Sequence, residues 1–110
     1  MSIEQTKKYI EAFSAKDISS IRKLLTNEFA LEDPVVKRVE GKENALNSIQ
    51  AIFDSCKELS FSAKNIYQDG NTTIIEFLLN IDGTTLEGVD IITWDQGEMV
   101  ELRAYLDVPK

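Results

Sequence analysis

Asp33 is a carboxylate at a position where the sequence predicts an apolar interior. It follows Phe29 and Leu31 at alternate positions of a predicted strand, so all three side chains point to the same face. Pro34 restricts the preceding residue to extended conformations, which stiffens the backbone at Asp33. The strand therefore predicts a carboxylate directed from a stiff backbone into an apolar interior. On this strand alone, a solvated aspartate in an Asp-Pro turn is the better explanation.

Tyr9 and Asp90 are two further polar residues that the sequence places on buried faces. Tyr9 lies on the inner stripe of a predicted first helix, one turn before Phe13. Asp90 shares the face of a predicted strand with Ile92 and Trp94, although aspartate disfavours both strands and burial. Each has a structural explanation, as a core aromatic or as a hydrogen-bonded carboxyl. Since unpaired buried polar groups cost free energy, one polar site in the floor of an apolar cavity explains all three residues together.

The composition limits the chemistry that such a site could perform. The chain has no histidine and a single cysteine, Cys56, which excludes Ser-His-Asp and Cys-His mechanisms and argues against a metal site. Cys56 continues a helical apolar pattern, which favours a small buried hydrophobe over a nucleophile. Proton transfer near neutral pH must therefore use carboxylates, tyrosine, lysine or cysteine with shifted pKa values.

Net charge and hydropathy patterning limit the partners. The formal net charge is −7, from 19 acidic and 12 basic residues, so a nucleic acid would be repelled. The longest apolar runs are broken by Glu76 and Asn80, which predicts no membrane span. No secretory signal is visible and no intrachain disulfide can form, so a cytoplasmic location is expected. The predicted partner is a small hydrophobic molecule, with a protein as the alternative.

Three helices and four long strands are predicted to position these residues. Ser2 and Gln5 fit a capping box that starts a helix reaching about residue 15, and Asp17 can cap a second helix that ends near residue 27. Gly41 separates the segment 35–40, a short strand or a loop, from a third helix. Apolar and polar residues then alternate over 60–68, 72–81, 85–94 and 99–106. The 110 residues are expected to form one α+β domain, with helices on one face of an antiparallel meander.

The predicted sheet carries apolar residues on both faces. Ile75 and Phe77 share one face of the second long strand, whereas Ile74 and Leu78 share the other. Three helices cover one face only, so the other would expose an apolar patch, which predicts a homodimer through that face. Scattered exposed aliphatic residues are the alternative explanation. The set assigned to this second face comprises Ile74, Leu78, Val89, Ile91 and Leu102.

Several segments together resemble the ketosteroid isomerases, within the wider group of NTF2-like and SnoaL-like proteins. Residues 9–13 with Lys16-Asp17 resemble that family's tyrosine-bearing first helix, and Glu32-Asp33-Pro34-Val35 resembles the segment with its general base. Val89-Asp90-Ile91 resembles the strand with its protonated aspartic acid, and residues 97–100 with Arg103-Ala104 resemble its last hairpin and closing strand. The resemblance covers nearly the whole chain and implies a single domain over 1–110. The third helix has no tyrosine, although some family members carry one there.

The resemblance implies a cone, in which three N-terminal helices pack on a curved antiparallel sheet with a ligand cavity in its mouth. It also implies an isomerase that shifts a double bond by moving a proton next to a carbonyl group. Asp33 would be the base, and Tyr9 and a protonated Asp90 would donate hydrogen bonds to the enolate oxygen. No metal or organic cofactor is implied. The expected substrate-binding wall comprises Phe13, Phe29, Leu31, Phe53, Phe77, Ile92 and Trp94.

Two other functions remain open at this point. A domain of this shape could bind a hydrophobic small molecule or a protein without catalysis, since one fold hosts many functions. A binding domain without catalysis does not explain why Tyr9, Asp33 and Asp90 all match polar positions of the ketosteroid isomerases. A related polyketide cyclase or dehydratase could use the same base.

Overall fold

The computed structural model describes residues 2–34 and 37–107, which form three helices and six strands. All four long strands are confirmed, and residues 37–40 of the segment left open between strand and loop are a strand; residues 35 and 36 lie outside the described residues. The helices are α1 (Ser2–Ser14), α2 (Ile18–Leu24) and α3 (Lys42–Asp54). The strands are β1 (Leu25–Asp33), β2 (Lys37–Glu40), β3 (Leu59–Asp69), β4 (Thr72–Ile81), β5 (Thr84–Asp95) and β6 (Glu98–Asp107).

The position of β1 corrects the predicted sheet. The strand order is β2-β1-β6-β5-β4-β3, and β1 pairs antiparallel with β2 but parallel with β6. The expectation of a wholly antiparallel sheet was therefore wrong at this pair, whereas α3 follows Gly41 as predicted. A parallel pair needs a long connection, which β2, α3 and the three hairpins supply. Hydrophobic alternation shows that a segment forms a strand, but it does not show which other strand that segment pairs with.

The six-stranded sheet is curved and is not closed into a barrel. Register shifts occur between Ala63 and Asn65 where β3 pairs with β4, and between Thr93 and Trp94 where β5 pairs with β6. An extra residue in one strand of a pair bends that strand and increases its twist. These bends help the sheet to curve around the helices, so that one face of it becomes a concave interior.

Asp17 and Lys16 join the helices at one corner of the domain. Asp17 caps α2 as predicted, because its carboxylate accepts hydrogen bonds from the Ser20 backbone N–H at 3.2 Å and from the Ser20 hydroxyl at 2.6 Å. The Lys16 ammonium donates to the Phe53 carbonyl at 2.9 Å, at the C-terminal end of α3. Carbonyl groups at the C-terminal end of a helix lack hydrogen-bond partners within the helix. The Lys16 ammonium supplies a partner there, and its positive charge interacts favourably with the negative end of the helix dipole.

Two helix boundaries differ from the predictions. α2 ends at Leu24, short of residue 27, because Leu25 is extended and pairs with Met99 of β6. The predicted capping box at Ser2 is not seen in the described residues. The Gln5 side-chain amide instead donates to the carbonyl of Gly97, in the β5–β6 turn, at 3.0 Å. In both places a contact with a residue distant in sequence overrides a local signal.

The two faces of the sheet divide largely as predicted. Thr73, Ile75, Phe77 and Leu79 of β4 are buried against the helices, whereas Ile74, Leu78, Val89 and Ile91 are half-buried on the other face. Leu102 corrects the prediction, because it is 3% exposed and lies in the core instead of on the second face.

A hydrogen-bonded threonine–tryptophan cluster, formed by Thr6, Thr73 and Trp94, lies inside the domain. The Trp94 indole N–H donates to the Thr73 hydroxyl at 2.8 Å, and the Thr6 hydroxyl donates to the Ser2 carbonyl at 2.7 Å. The two hydroxyls are 2.8 Å apart. Because the single Thr6 proton is already used, Thr73 must donate to Thr6. The chain of bonds therefore runs in one direction and ties α1 to β4 and β5.

Candidate active site

A cavity of about 70 Å³ lies between the helices and the concave face of the sheet. Tyr9, Asp33 and Asp90 all line it, so the structure brings together three residues from α1, β1 and β5 that are far apart in sequence. The other described lining residues are apolar. They are Phe13, Leu31, Ile49, Ile52, Phe61, Phe77, Leu79, Leu102, Ala104 and Leu106.

Asp33 is carried to the cavity by the alternation of β1. Leu31 and Asp33 both line the cavity, as expected for residues two positions apart on a strand. Asp33 is the last residue of β1 and pairs with Lys37 of β2. It is partly exposed, unlike the other two polar residues of the cavity. Partial exposure at a strand end allows the carboxylate to remain solvated while it faces the cavity.

Asp90 lies in the middle of β5, between two neighbouring strands. It pairs with Ile75 of β4 on one side and with Ala104 of β6 on the other, and only 4% of its surface is exposed. Burial raises the pKa of the Asp90 carboxyl to about 8, and the negative charge of Asp33 contributes to the same shift. At neutral pH most Asp90 side chains therefore carry a proton and can donate a hydrogen bond.

Tyr9 enters the cavity from the buried face of α1. The centroid of its ring lies 5.8 Å from that of Phe13 and 6.2 Å from that of Phe61. These ring contacts fix the orientation of the Tyr9 side chain. Burial, together with the charge that Asp90 carries when ionised, raises the pKa of Tyr9 well above its ordinary value. The phenol therefore stays neutral, so the cavity contains two groups that can donate a proton in a hydrogen bond and one carboxylate that can accept a proton.

The predicted wall is divided between the cavity and the core. Phe13, Leu31 and Phe77 line the cavity, whereas Phe29, Phe53, Ile92 and Trp94 are buried in the core and are not among its lining residues. Alternation along a strand shows which residues point inward, but it does not show how far along the interior each one lies. The sequence therefore predicts which polar residues face the interior better than it predicts which apolar residues line the cavity.

Phe61 is a lining residue that the sequence reading missed. It is buried on β3 opposite Leu79 of β4, and both side chains line the cavity. The available signal was a phenylalanine between Ser60 and Ser62, which is a polar–apolar–polar alternation. On α3, which has no tyrosine, Ile49 and Ile52 line the cavity.

Within the described residues, no group of three or more potential acidic, histidine or cysteine ligands is placed to hold a metal ion. Among the same residues, no helix has both the length and the apolar composition that would be needed to cross a membrane.

The sequence profile of the SnoaL-like domain matches residues 6–102. The chain belongs to the SnoaL-like domain family. This match runs from within α1 to the middle of β6, so it includes the three polar residues of the cavity. A search of curated proteins finds no significant match.

Solved structures with the same fold carry several different activities in their descriptions. A candidate ketosteroid isomerase from Kribbella flavida superposes with a TM-score of 0.85 at 16% identity, covering 97% of this chain and 78% of that one. A candidate SnoaL-like polyketide cyclase from Jannaschia gives 0.83 at 17% identity, covering 96% and 84%. An LEH-like epoxide hydrolase from Mycobacterium tuberculosis gives 0.79 at 16% identity, covering 96% and 81%. Likeness at such low identity shows the NTF2-like fold alone.

Proposed function

We propose that this SnoaL-like protein is an isomerase that moves a proton next to the carbonyl group of a hydrophobic small molecule. The single observation that carries the proposal is Asp90, a carboxyl buried in the middle of the sheet that shares one small apolar cavity with Tyr9 and Asp33. A structural aspartate at this position would gain stability from a cationic partner. Here the charge acting on Asp90 is that of a second carboxylate, Asp33, which favours the protonated form.

The proposed reaction uses the three polar residues in two steps. The Asp33 carboxylate removes a proton from the carbon next to the carbonyl group of a β,γ-unsaturated ketone. The electron pair of that C–H bond forms a double bond to the carbonyl carbon, and the π electron pair of the carbonyl group moves onto its oxygen. The resulting dienolate oxygen accepts hydrogen bonds from the Tyr9 phenol and the Asp90 carboxylic acid. Asp33 then returns the proton to the γ-carbon, the carbonyl group re-forms and the double bond ends in conjugation. Asp33 ends as the carboxylate with which it began, so no co-reactant is needed.

The apolar lining of the cavity strengthens the hydrogen bonds that Tyr9 and Asp90 would donate to the enolate oxygen. Donors aimed at a developing oxyanion are worth roughly 3 kcal/mol each when water is excluded. Neutral donors suit an enolate better than an ionised Asp90 would, because a second negative charge would repel the intermediate. The raised pKa values of Asp90 and Tyr9 therefore place both groups in the protonation state that the proposed reaction requires.

A polyketide cyclase or dehydratase is the second candidate, in keeping with the description of the Jannaschia neighbour. Both reactions can begin with removal of a proton next to a carbonyl group, so the same residues in the same cavity would serve. The products distinguish them, since an isomerase returns the proton to the substrate whereas a cyclase forms a carbon–carbon bond and a dehydratase releases water.

Ultraviolet absorbance tests the proposed isomerisation directly, because conjugation of the ketone creates a strong absorption band. Purified protein should convert β,γ-unsaturated ketones to their conjugated isomers faster than buffer alone. Two substrates of different bulk, a short acyclic ketone and a fused-ring ketosteroid, cover the size range. If the folded protein turns over neither, the isomerase proposal is wrong and a non-catalytic ligand-binding domain is favoured.

We also propose that the protein forms a homodimer through the outer face of the sheet. Tyr67, Ile74, Ile91 and Arg103 are neighbours in register across β3, β4, β5 and β6, and Tyr67 is 54% exposed. An apolar row with one charged end can meet a second copy of itself in a two-fold arrangement. Light scattering should give twice the monomer mass at micromolar concentration, and Ile91→Glu should lower it. A monomer mass for the unaltered protein would contradict the proposal.

A further inference from the structure

Four of the five phenylalanines pack into one group at the side of the cavity, and three of them line it. This aromatic plug, formed by Phe13, Phe53, Phe61 and Phe77, joins α1 and α3 to β3 and β4. Ring centroids are 5.1 Å apart for Phe13 and Phe53, and 5.0 Å apart both for Phe13 with Phe61 and for Phe61 with Phe77. All four side chains are buried. Two of these rings, Phe13 and Phe61, also pack against the Tyr9 ring.

Gly88 shows that the plug rests directly on the floor of the sheet. Phe77 and Gly88 are paired residues of β4 and β5. A Cβ atom built on Gly88 would lie only 2.7 Å from the Cζ atom of Phe77, and it would also overlap the backbone carbonyl oxygen of Tyr105. The Phe77 ring thus occupies the space above Gly88, with backbone behind it. It cannot move outward to enlarge the cavity unless the sheet moves with it.

The volume left beside the plug is small for a ligand site. The cavity measures about 70 Å³, whereas pockets for drug-sized ligands are roughly 300–1,000 Å³. An engineered apolar cavity that binds benzene has a volume of about 150 Å³. The cavity between Tyr9, Asp33 and Asp90 therefore has room for a carbonyl group and the carbons next to it, but not for a fused ring system.

We propose that the aromatic plug restricts this site to the slim, acyclic end of an enolisable carbonyl compound, and that Phe61 and Phe77 determine this specificity. The chemistry of the ligand rests on the proposed function, whereas the size limit rests on the plug. Phe61 is the better residue to test, because it touches Tyr9 and Phe77 and lines the cavity, while the Phe77 ring is supported by backbone.

The experiment compares the unaltered protein with Phe61→Leu, which shortens the side chain and keeps it apolar. Phe29→Leu is the matched control, because Phe29 is also a buried phenylalanine but does not line the cavity. Binding is followed by NMR shifts of Tyr9 and Asp90 on adding methyl propenyl ketone or a fused-ring steroid enone. Turnover is followed with allyl methyl ketone and a β,γ-unsaturated ketosteroid.

The unaltered protein should show shifts with the acyclic ketone and none with the steroid. Phe61→Leu should admit the steroid and raise the ratio of steroid to acyclic kcat/KM by about tenfold or more, since even one methylene changes discrimination by about 10- to 200-fold. Binding of the acyclic ketone without turnover would disprove the isomerase proposal while supporting the size limit. The inference is overturned if the unaltered protein binds the steroid as well as the acyclic ketone, if it binds neither, or if Phe29→Leu changes the ratio as much as Phe61→Leu.

Discussion

The domain buries two polar clusters, and they differ in how their groups are satisfied. In the threonine–tryptophan cluster, Thr6 and Thr73 each take part in two hydrogen bonds within the protein, and all the groups are neutral. In the cavity, Tyr9 and Asp90 have raised pKa values because burial and neighbouring negative charge disfavour ionisation. Burial of polar groups alone therefore does not indicate function. The informative feature is a buried ionisable group whose protonation state is set by an apolar cavity and by a like charge.

The two clusters are expected to have opposite effects on stability. A satisfied hydrogen bond contributes roughly 1 kcal/mol to the folded state, so the threonine–tryptophan cluster stabilises the domain. Asp90 holds its proton more tightly in the folded protein than in the unfolded chain, which costs stability once the pH exceeds the ordinary carboxyl pKa. A cost of this kind is expected where a side chain serves activity more than stability.

Asp33→Asn should produce the largest loss of isomerase activity. The amide keeps the shape of the carboxyl but cannot accept the proton, and positioned general bases contribute about 100- to 10,000-fold in rate. Turnover measured by ultraviolet absorbance should fall within that range, while circular dichroism shows an unchanged fold. A variant that stays within about tenfold of the unaltered protein, a difference of about 1.4 kcal/mol, would remove Asp33 from the proposed mechanism.

Asp90→Leu should lower kcat by about 100-fold or more, because it deletes one donor to the enolate oxygen. Asp90→Asn retains an N–H donor and should keep much of the activity. The two variants also differ in their pH profiles. Activity of the unaltered protein should fall as the pH rises through about 8, where Asp90 ionises, and Asp90→Asn should lack that fall. If Asn and Leu are equally damaging, Asp90 does not act as a hydrogen-bond donor.

Asp90→Asn should also stabilise the domain, by an amount that increases with pH. The pKa of Asp90 is raised from 3.8 to about 8, so the native state binds more protons than the unfolded state between these values. Stability of the unaltered protein therefore declines across this window relative to the variant, by several kcal/mol in total, and the difference is constant above it. Urea unfolding at a series of pH values measures this, with Asp95→Asn, an exposed aspartate on the same strand, as the control. A difference that does not change with pH would contradict the raised pKa.

Thr73→Val should lower stability by about 1–3 kcal/mol and leave isomerase chemistry nearly unchanged. The substitution keeps the shape but removes the hydroxyl that accepts from Trp94 and donates to Thr6, which leaves the buried Trp94 N–H without its partner. Urea unfolding and the ultraviolet assay give the two readouts. Thr72→Val, at a partly exposed position on the same strand, controls for the exchange itself. A large loss of kcat with no loss of stability would show that the two clusters are not separate in function.

Local patterns in the sequence determined more of the candidate site than of its surroundings. Alternation along β1 and β5 and the helical stripe of α1 were enough to direct Asp33, Asp90 and Tyr9 inward, because side-chain direction depends on local backbone geometry. The wall could not be derived in this way. Phe29 and Phe61 both alternate inward on their strands, yet Phe61 lines the cavity and Phe29 does not. Their positions along the interior depend on how each strand is registered against its neighbours.

The sequence by itself therefore determined which elements form, which faces they bury, and which polar residues point into the interior. Only the tertiary structure decided that β1 lies parallel to β6, that α2 ends at Leu24, and that Gln5 bonds to the β5–β6 turn. It also decided the volume of the cavity, which depends on how the Phe61 and Phe77 rings pack against residues from four different elements. The physical reason is the same in each case. Periodicity records the local backbone of a segment, whereas strand pairing and packing are contacts between segments that no local pattern contains.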